Sequence, residues 1–408
     1  MKHPRIYKPE LVVPAGDWPS LNTAIDNGAD SIYFGIQGLN MRERASNFKI
    51  SDLKKIMNLL HKRNIKGYLT LNVVIMNKEL RRVEKILLEA KESKVDAVIA
   101  WDMAVISLAK KIGLKIHLST QASVSNIEAL RYYHKVGIKR VVLARECSLS
   151  DIRDIKKLIE KEGMNIKIEA FIHGAMCVSI SGRCFLSEYS YGESANRGRC
   201  LQPCRREFII KERKGSLEYR LGKDYILSPK DLCTVDFIDS LISSGIDAFK
   251  IEGRMRSPEY IKVVVSVYRE AIDIFYENRL SDSLKKRLKK RLKSVYNRGF
   301  SDGFYFSRPD DGDISRRLEH LYEKIYLGEV KKYYPKLSVV EILVQAGSLK
   351  KGNELLFVGK NTSAQFVRAE EIQQEHKYVI KVKKGELAGI KIPFKVKLGD
   401  QVYIWRKK

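Results

Sequence analysis

From residue 10 to about residue 275 the chain repeats one pattern of apolar and polar positions. A short run of β-branched or aromatic residues ends in a small or polar one, and a stretch with helical apolar spacing follows. The runs ELVVPA, SIYFGI, GYLTLNVV, AVIAW, KIHLST, RVVLA, KIEAFI and AFKIEG predict strands. The segments SDLKKIMNLLHKRN, RRVEKILLEAKES, NIEALRYYHKVG and LSDIRDIKKLIEKEG predict helices between them. Strands that alternate with helices pair in parallel, and eight of them suit a closed (β/α)8 barrel better than an open sheet. The expected fold class is therefore α/β, a TIM-like barrel. The longest break falls between the seventh and eighth strands, which places an insertion at 174–232. Loops that follow strands lie on the catalytic face of such a barrel.

SPEYIKVVVSVYREAIDIFYENRL predicts a further helix, and SDSLKKRLKKRLKSVYNRGFSDGFY begins with an amphipathic one. The leucines of the second suit packing, and its lysines and arginines suit either a solvated face or an RNA contact. From about Tyr326 the texture changes. YLGEVKKYYPKLSVVEILV, NELLFVG, FVRAEEIQQ, YVIKVKK, IKIPFKV and DQVYIW are short strands broken by glycine and lysine turns, the pattern of a small all-β barrel. The expected organisation is a catalytic barrel at 1–280, a basic helical connector at 281–325 and a C-terminal β-barrel at 326–408. Small barrels of this kind bind RNA or serve as lids.

Alternation within the strands sorts side chains by face. Lys250, Glu252 and Arg254 share one face, as do His117, Ser119 and Gln121, Thr70 and Asn72, and Glu169, Phe171 and His173. Arg145 closes the sixth strand. The apolar partners face the helices, so the polar sets face the barrel axis. Such an axis is usually filled by branched apolar residues, so polar residues near the strand ends predict a ligand pocket at the mouth. Arg145, Arg254 and Lys250 suit a small molecule bearing carboxylates, which guanidinium grips bidentately. The alternative is an internal ion-pair network with Glu252 and Glu169.

Composition sharpens the choice of partner. The 408 residues carry 76 Lys+Arg against 49 Asp+Glu, a net charge of +27. That excess points to a polyanion, most often nucleic acid, although a lysine-rich proteome raises lysine everywhere. Hydrophobic residues make up 44% and charged ones 31%, as in a soluble globular chain. No apolar run approaches the roughly 20 residues of a membrane helix. The start, MKHPRIYKPELVVPAG, has no apolar signal region. A cytoplasmic location with no membrane partner is expected, and thiols stay reduced there.

Four of the six cysteines fall in one segment. Cys177, Cys184, Cys200 and Cys204 are separated by six, fifteen and three residues. Four thiolates match a [4Fe-4S] cluster or a structural zinc. Zinc ribbons favour two tight pairs and only the second pair here is tight, so the spacing leans toward iron–sulfur and leaves zinc open. Cys233 is a fifth candidate, or a small buried residue opening the helix TVDFIDSLISSG. Cys147 reads as an incidental thiol. Arg183, Arg197, Arg199, Arg205 and Arg206 crowd the segment and would offset the negative charge of a cluster. A protease reading finds neither H-E-x-x-H nor G-x-S-x-G. It rests on His173, four residues before Cys177, as a possible Cys–His couple.

The stretch EAFIHGAMCVSISGRCFLS, from Glu169 to Ser187, resembles the signature of the peptidase U32 family, also called collagenase-like proteases. ELVVPAGDWPSLNTAIDNGADSIYFG, HLSTQASVSN, SANRGRCLQPCRR and FKIEGRMRSPEYI resemble further blocks of that family, over about residues 10 to 310. The C-terminal β-region resembles that of its longer members. The resemblance implies oxygen-independent hydroxylation with a [4Fe-4S] cluster. One branch forms 5-hydroxyuridine at the tRNA wobble position and depends on prephenate. Others hydroxylate a cytidine of large-subunit rRNA or the ubiquinone ring. The C-x3-C pair matches the tRNA branch, and the basic charge and the β-region favour RNA over a lipid ring. The cluster ligands implied are Cys177, Cys184, Cys200 and Cys204, with Cys233 a possible replacement for Cys204. Prephenate is a dicarboxylate, and Arg145 and Arg254, with Lys250, would hold it. Asn72, Gln121 and His173 would orient it, with Glu252 in the same catalytic set. The basic surface and β-region would hold the anticodon loop with the target base turned out. A second U32-family subunit is a further implied partner. The rivals are an rRNA cytidine hydroxylase, a peptidase, and an RNA-binding factor with structural zinc.

Overall fold

The computed structural model describes residues 7–180, 183–206, 209–216, 218–220, 227–315 and 318–408. Ser181 and Gly182, inside the motif quoted above, lie outside the described residues, as do parts of the expected insertion at 207–208, 217 and 221–226. Eight strands carry the barrel: β1 Glu10–Ala15, β2 Ser31–Phe34, β3 Lys66–Thr70, β4 Ala97–Ala100, β5 Ile116–Leu118, β6 Arg140–Val142, β7 Lys167–Ala175 and β8 Ala248–Ile251. Each pairs in parallel with the next, and β8 pairs with both β7 and β1, so the ring closes. The closed TIM-like barrel expected from the apolar pattern is the fold.

Helices α1 Trp18–Asp26, α2 Leu53–His61, α3 Leu80–Glu92, α4 Met103–Ile112, α5 Ile127–Lys135 and α6 Leu149–Lys161 cover the ring outside. Their starts and stops are written in the sequence. Asp102 caps α4 by accepting from the Ala104 amide at 2.9 Å, and Gly113 ends it at φ 77°. In α6, Ser148 and Asp151 form a reciprocal capping box. Apolar spacing sets the inward faces. Helix α2 buries Leu53, Ile56, Met57 and Leu60, and α6 buries Leu149, Ile152, Ile155 and Ile159.

The excursion between β7 and β8 holds a short helix, α7 Leu186–Tyr191, and a strand at Asp231–Cys233 that the apolar pattern did not predict. That strand runs antiparallel to β7 and parallel to Phe300–Ser301. Cys233 therefore ends a buried strand and does not open a helix. After it come α8 Ile238–Ser243, α9 Pro258–Tyr276 and α10 Asp282–Leu292. The basic helix α10 buries Leu284, Leu288 and Leu292. Lys285 pairs with Asp239 at 2.8 Å, Lys289 pairs with Asp236, and Arg291 pairs with Glu270. Much of its cationic face thus serves to fasten it to the barrel.

The C-terminal region is antiparallel throughout. Its sheet runs in the order 362–368, 354–359, 401–407, 322–334, 339–344, 387–391, 372–374, 377–379. One apolar core, including Leu327, Ile342, Leu355 and Phe357, belongs to this region alone. Leu356, Ala364 and Trp405 instead join the barrel's core. The Ala364 amide donates to Thr23 Oγ1 of α1 at 2.9 Å, and Lys262 Nζ of α9 donates to Gln365 Oε1 at 3.1 Å. No helix among the described residues is long and apolar enough to cross a membrane.

Candidate active site

At its lower end the barrel axis holds four charges that answer one another. Arg140 Nη2 lies 2.8 Å from Glu10 Oε2 and Arg140 Nη1 lies 3.4 Å from Glu169 Oε2. Glu169 Oε1 accepts from Lys250 Nζ at 2.7 Å. Burial alone would raise the Glu10 carboxyl, but Arg140 outweighs it and holds Glu10 well below the usual carboxylate range. His117, whose ring meets Tyr68 edge-on at 4.5 Å, is kept neutral by burial and by the nearby Arg140 charge. Lys250 and Glu169 thus form the ion-pair network that the sequence left as an alternative. Lys250 is a cavity-floor residue with its charge already answered.

Above this layer a cavity of about 320 Å³ opens at the strand ends. Asn72, Gln121, Arg145, Lys250, Glu252 and Arg254 line it, and so do Cys177, Cys184, Cys200 and Cys204. His173 does not, and no histidine among the described residues lines it. The expectation that His173 shares a face with Glu169 and Phe171 fails at a bulge. Along the β7–β8 ladder, Phe171 pairs with Lys250 but His173 pairs with Ile251. One extra residue on β7 inverts the face. His173 then points at α9, with Nδ1 3.3 Å from Tyr268 Oη and its ring against Tyr260 and Phe300. Burial pushes its pKa down to about 3, so it is a neutral packing residue. Directly after it, Gly174 takes φ 107°, and a Cβ there would lie 2.5 Å from the Glu252 carbonyl oxygen. The glycine lets the chain leave β7 beside the C-terminal end of β8.

The cations of the cavity differ in how they are held. Arg254 Nη1 donates to Thr70 Oγ1 at 2.8 Å, and Nη2 donates to Asn40 Oδ1 and Asn47 Oδ1, each at 2.6 Å. It is 3% exposed, and burial lowers its pKa to about 10. Arg254 therefore ties the β2–α2 loop to the barrel, and its donors are largely committed. Arg145 is different. Its guanidinium stacks on Phe171, 4.2 Å from the ring centroid, and among the described residues no carboxylate pairs with it. Three further arginines were not singled out for the cavity. Arg42 holds Glu252 Oε1 through Nη2 at 3.0 Å and Nε at 3.2 Å. Arg256 stacks on Tyr296, 4.0 Å from the ring centroid. Arg205 donates to the Met176 carbonyl at 2.9 Å. They sit on loops, where strand alternation carries no information. Burial would raise the Glu252 carboxyl, but Arg42 and Arg145 outweigh it and keep Glu252 ionised. It is a carboxylate that positions Arg42.

The thiols are free of disulfides. Cys184 Sγ accepts from the Leu186 amide at 3.4 Å, Cys200 Sγ accepts from the Gln202 amide at 3.3 Å, and Cys177 Sγ lies 3.2 Å from Ser179 Oγ. In each case the partner is two residues downstream, a turn that aims donors at sulfur. Burial would raise the Cys177 thiol, yet the Ser179 hydrogen bonds and the charges of Arg145 and Arg42 leave it lowered. Among the described residues no three His, Cys, Asp or Glu side chains converge on one ion. A cubane takes one thiolate per iron, so its four sulfurs surround it and do not meet at a point. Four thiols lining one cavity supply the donor number of a [4Fe-4S] cluster and equally of a tetrahedral zinc. Cys233 lies outside the cavity, buried beside Tyr268, and burial pushes its pKa up to about 12. Cys147 is likewise buried, with its pKa up to about 12.

Most of the segment's arginines brace the loop. Arg197 pairs with Glu79, Arg199 with Glu43 at 3.1 Å, and Arg206 stacks on Tyr191. Arg183 donates to the Gln121 carbonyl. Of the five, only Arg205 lines the cavity. Gly198 completes the docking: a Cβ there would lie 2.0 Å from the Asn40 carbonyl oxygen.

The family model of peptidase family U32 matches residues 16–315. A collagenase of Porphyromonas gingivalis is 39% identical, covering 98% of this chain and 98% of its own length. A tRNA hydroxylation protein P1 of Bacillus subtilis is 35% identical, covering 86% of this chain and 84% of its own. A 23S rRNA 5-hydroxycytidine synthase of Escherichia coli is 32% identical, covering 80% of this chain and 49% of its own.

Proposed function

The chain belongs to peptidase family U32, and we propose that it is an RNA-modifying hydroxylase that forms 5-hydroxyuridine at the tRNA wobble position. In this reading prephenate is the co-substrate and O2 is not used. Cys177, Cys184, Cys200 and Cys204 hold a [4Fe-4S] cluster, which when bound supplies redox chemistry at iron. The observation that carries the reading is one cavity lined both by four reduced thiols and by an arginine without a carboxylate partner among the described residues.

The chain's own residues have definable tasks. Arg145, held flat by Phe171, offers a guanidinium fork to a carboxylate of the dicarboxylate. Arg42 and Arg254 add positive potential while Glu252 limits it. The cavity volume suits a small ligand. The net charge of +27 attracts the RNA, whose target base must leave its stack to reach the cavity. With tRNA as its substrate, a cytoplasmic location is part of the same proposal. A second U32-family subunit remains part of the proposal, checked by the mass of the anaerobically purified assembly.

The names of relatives pull two ways, and the site favours hydroxylation. A thiol protease needs a base beside its nucleophile. Here His173 lies on the far face of β7, and Cys177 is accompanied by Ser179. Nucleoside mass spectrometry of tRNA and rRNA from a deletion strain tests the proposal. Loss of 5-hydroxyuridine from tRNA is the expected result. Loss confined to a hydroxycytidine of rRNA would transfer the activity to that substrate. Unchanged nucleosides together with gelatin cleavage by the purified protein would restore the peptidase.

A further inference from the structure

We infer that Gln121 reads the edge of the target base: its amide NH2, presented to the cavity, donates to a ring carbonyl oxygen such as O4 of uracil and disfavours an exocyclic amino group. The inference rests on the RNA-hydroxylase reading above and deepens it to base selection.

The orientation of the Gln121 amide follows from a backbone group that can only donate. The Met41 amide N–H lies 3.2 Å from the side-chain oxygen of Asn72. With Oδ1 so occupied, the other terminus of Asn72 must be its NH2. That NH2 faces Gln121 at 3.5 Å, so the Gln121 atom receiving it must be Oε1. The Ser119 hydroxyl bonds the same oxygen. Two donors therefore converge on Oε1, and the opposite arrangement would set NH2 against NH2.

What remains is Nε2. Among the described residues it has no hydrogen-bond partner, and Gln121 is only 6% exposed while lining the cavity. It is not one of the enclosed polar atoms left without a partner, so it faces the open cavity, where an acceptor on a ligand can reach it. The backbone around it is fixed. Gln121 lies in the 3-10 turn Thr120–Ala122, Arg183 holds its carbonyl, and the Trp101 indole N–H holds the Asn72 carbonyl at 3.0 Å. The donor is thus preset before a ligand arrives.

The ligand chemistry follows from the donor. A neutral NH2 takes a neutral carbonyl, while Arg145 offers the stronger grip for a carboxylate. Uracil presents an acceptor at the position where cytosine presents a donor. A site built on a fixed donor accepts the first and rejects the second, because the mismatch sets two donors face to face.

The test uses anaerobically purified full-length protein, synthetic anticodon stem–loops carrying uridine or cytidine at the target position, and prephenate. Wild type is expected to bind the uridine loop about tenfold more tightly than the cytidine loop. Gln121→Met, which keeps the shape and removes the donors, brings the ratio close to one. Gln121→Glu, which replaces donors by acceptors, shifts preference toward cytidine. A preference that survives both substitutions overturns the assignment, as does a loss of prephenate affinity with base preference intact. Wild type that binds neither loop, and leaves tRNA nucleosides unchanged in the deletion strain, overturns the hydroxylase reading and this assignment with it.

Discussion

Two polar layers share the barrel axis and follow opposite rules. In the lower one, Glu10, Arg140, Glu169 and Lys250 alternate in sign and answer one another. In the upper one, among the described residues, Arg145 has no carboxylate partner, four thiols stand unbridged, and Gln121 offers donors that no neighbour takes. Arg140, Glu169 and Lys250 of the lower layer are buried, and so is Gln121 of the upper one, where Arg145 and the four cysteines are half-buried. Burial of a polar group therefore does not mark a site by itself. What separates the layers is whether the partner lies within the chain, and the groups left incomplete are the ones available to chemistry.

The comparison breaks first at the thiols, where the expected effect is greatest. Replacing Cys177, Cys184, Cys200 or Cys204 by serine should reduce the hydroxylated nucleoside to background in a complemented deletion strain, read by mass spectrometry. Cys233→Ala, outside the cavity, should keep it. The reverse pattern, with Cys204 dispensable and Cys233 essential, would redraw the ligand set.

Next comes the lower layer. Glu169→Gln removes the charge that answers Lys250 and leaves that ammonium buried without a carboxylate. Breaking such a pair costs about 3–5 kcal/mol, to be read from the urea midpoint. If that variant instead changed the KM for prephenate at normal stability, the lower layer would belong to the site.

Arg145→Met sharpens the contrast from the other side. Stability should hold, since no ion pair is lost, while the KM for prephenate rises. A charge-assisted hydrogen bond is worth about 1.5–3 kcal/mol, so the rise should be about tenfold to a hundredfold.

The smallest effect is in pH. His173 and His117 are buried neutral, with lowered pKa values. Below pH about 6.5 their unfolded counterparts take up protons that the folded chain refuses. The unfolded state then binds more protons, so stability falls as pH falls, by about 1.4 kcal/mol per unit for each histidine. For His173 the loss ends near its folded pKa of about 3. His173→Asn should flatten the slope of the urea midpoint between pH 6 and 5, and an unchanged slope would mean the residue is not held neutral.

How much of this was legible in the sequence depends on where alternation holds. The eight barrel strands and most helices were readable, because apolar spacing and caps act locally. So were Asn72, Gln121, Glu252 and the four cysteines as neighbours, since each sits at or just beyond a strand on the axial side, or in the one long excursion. His173 was misplaced by a single bulged residue, which a period of two cannot register. Arg254 was read as a free grip, but its donors go to Thr70, Asn40 and Asn47, two of which lie on a loop far away in sequence. Arg42, Arg205 and Arg256 were missed as cavity residues because they lie on loops. The strand Asp231–Cys233 was hidden for another reason: three residues carry no period.

The most direct test is the iron and acid-labile sulfide content of the anaerobically purified protein, with its visible spectrum. About four irons and four sulfides per chain are expected in wild type, with loss of both in Cys204→Ser and retention in Cys233→Ala. A colourless wild-type protein holding one zinc and no sulfide would contradict the assignment of the upper layer to redox chemistry.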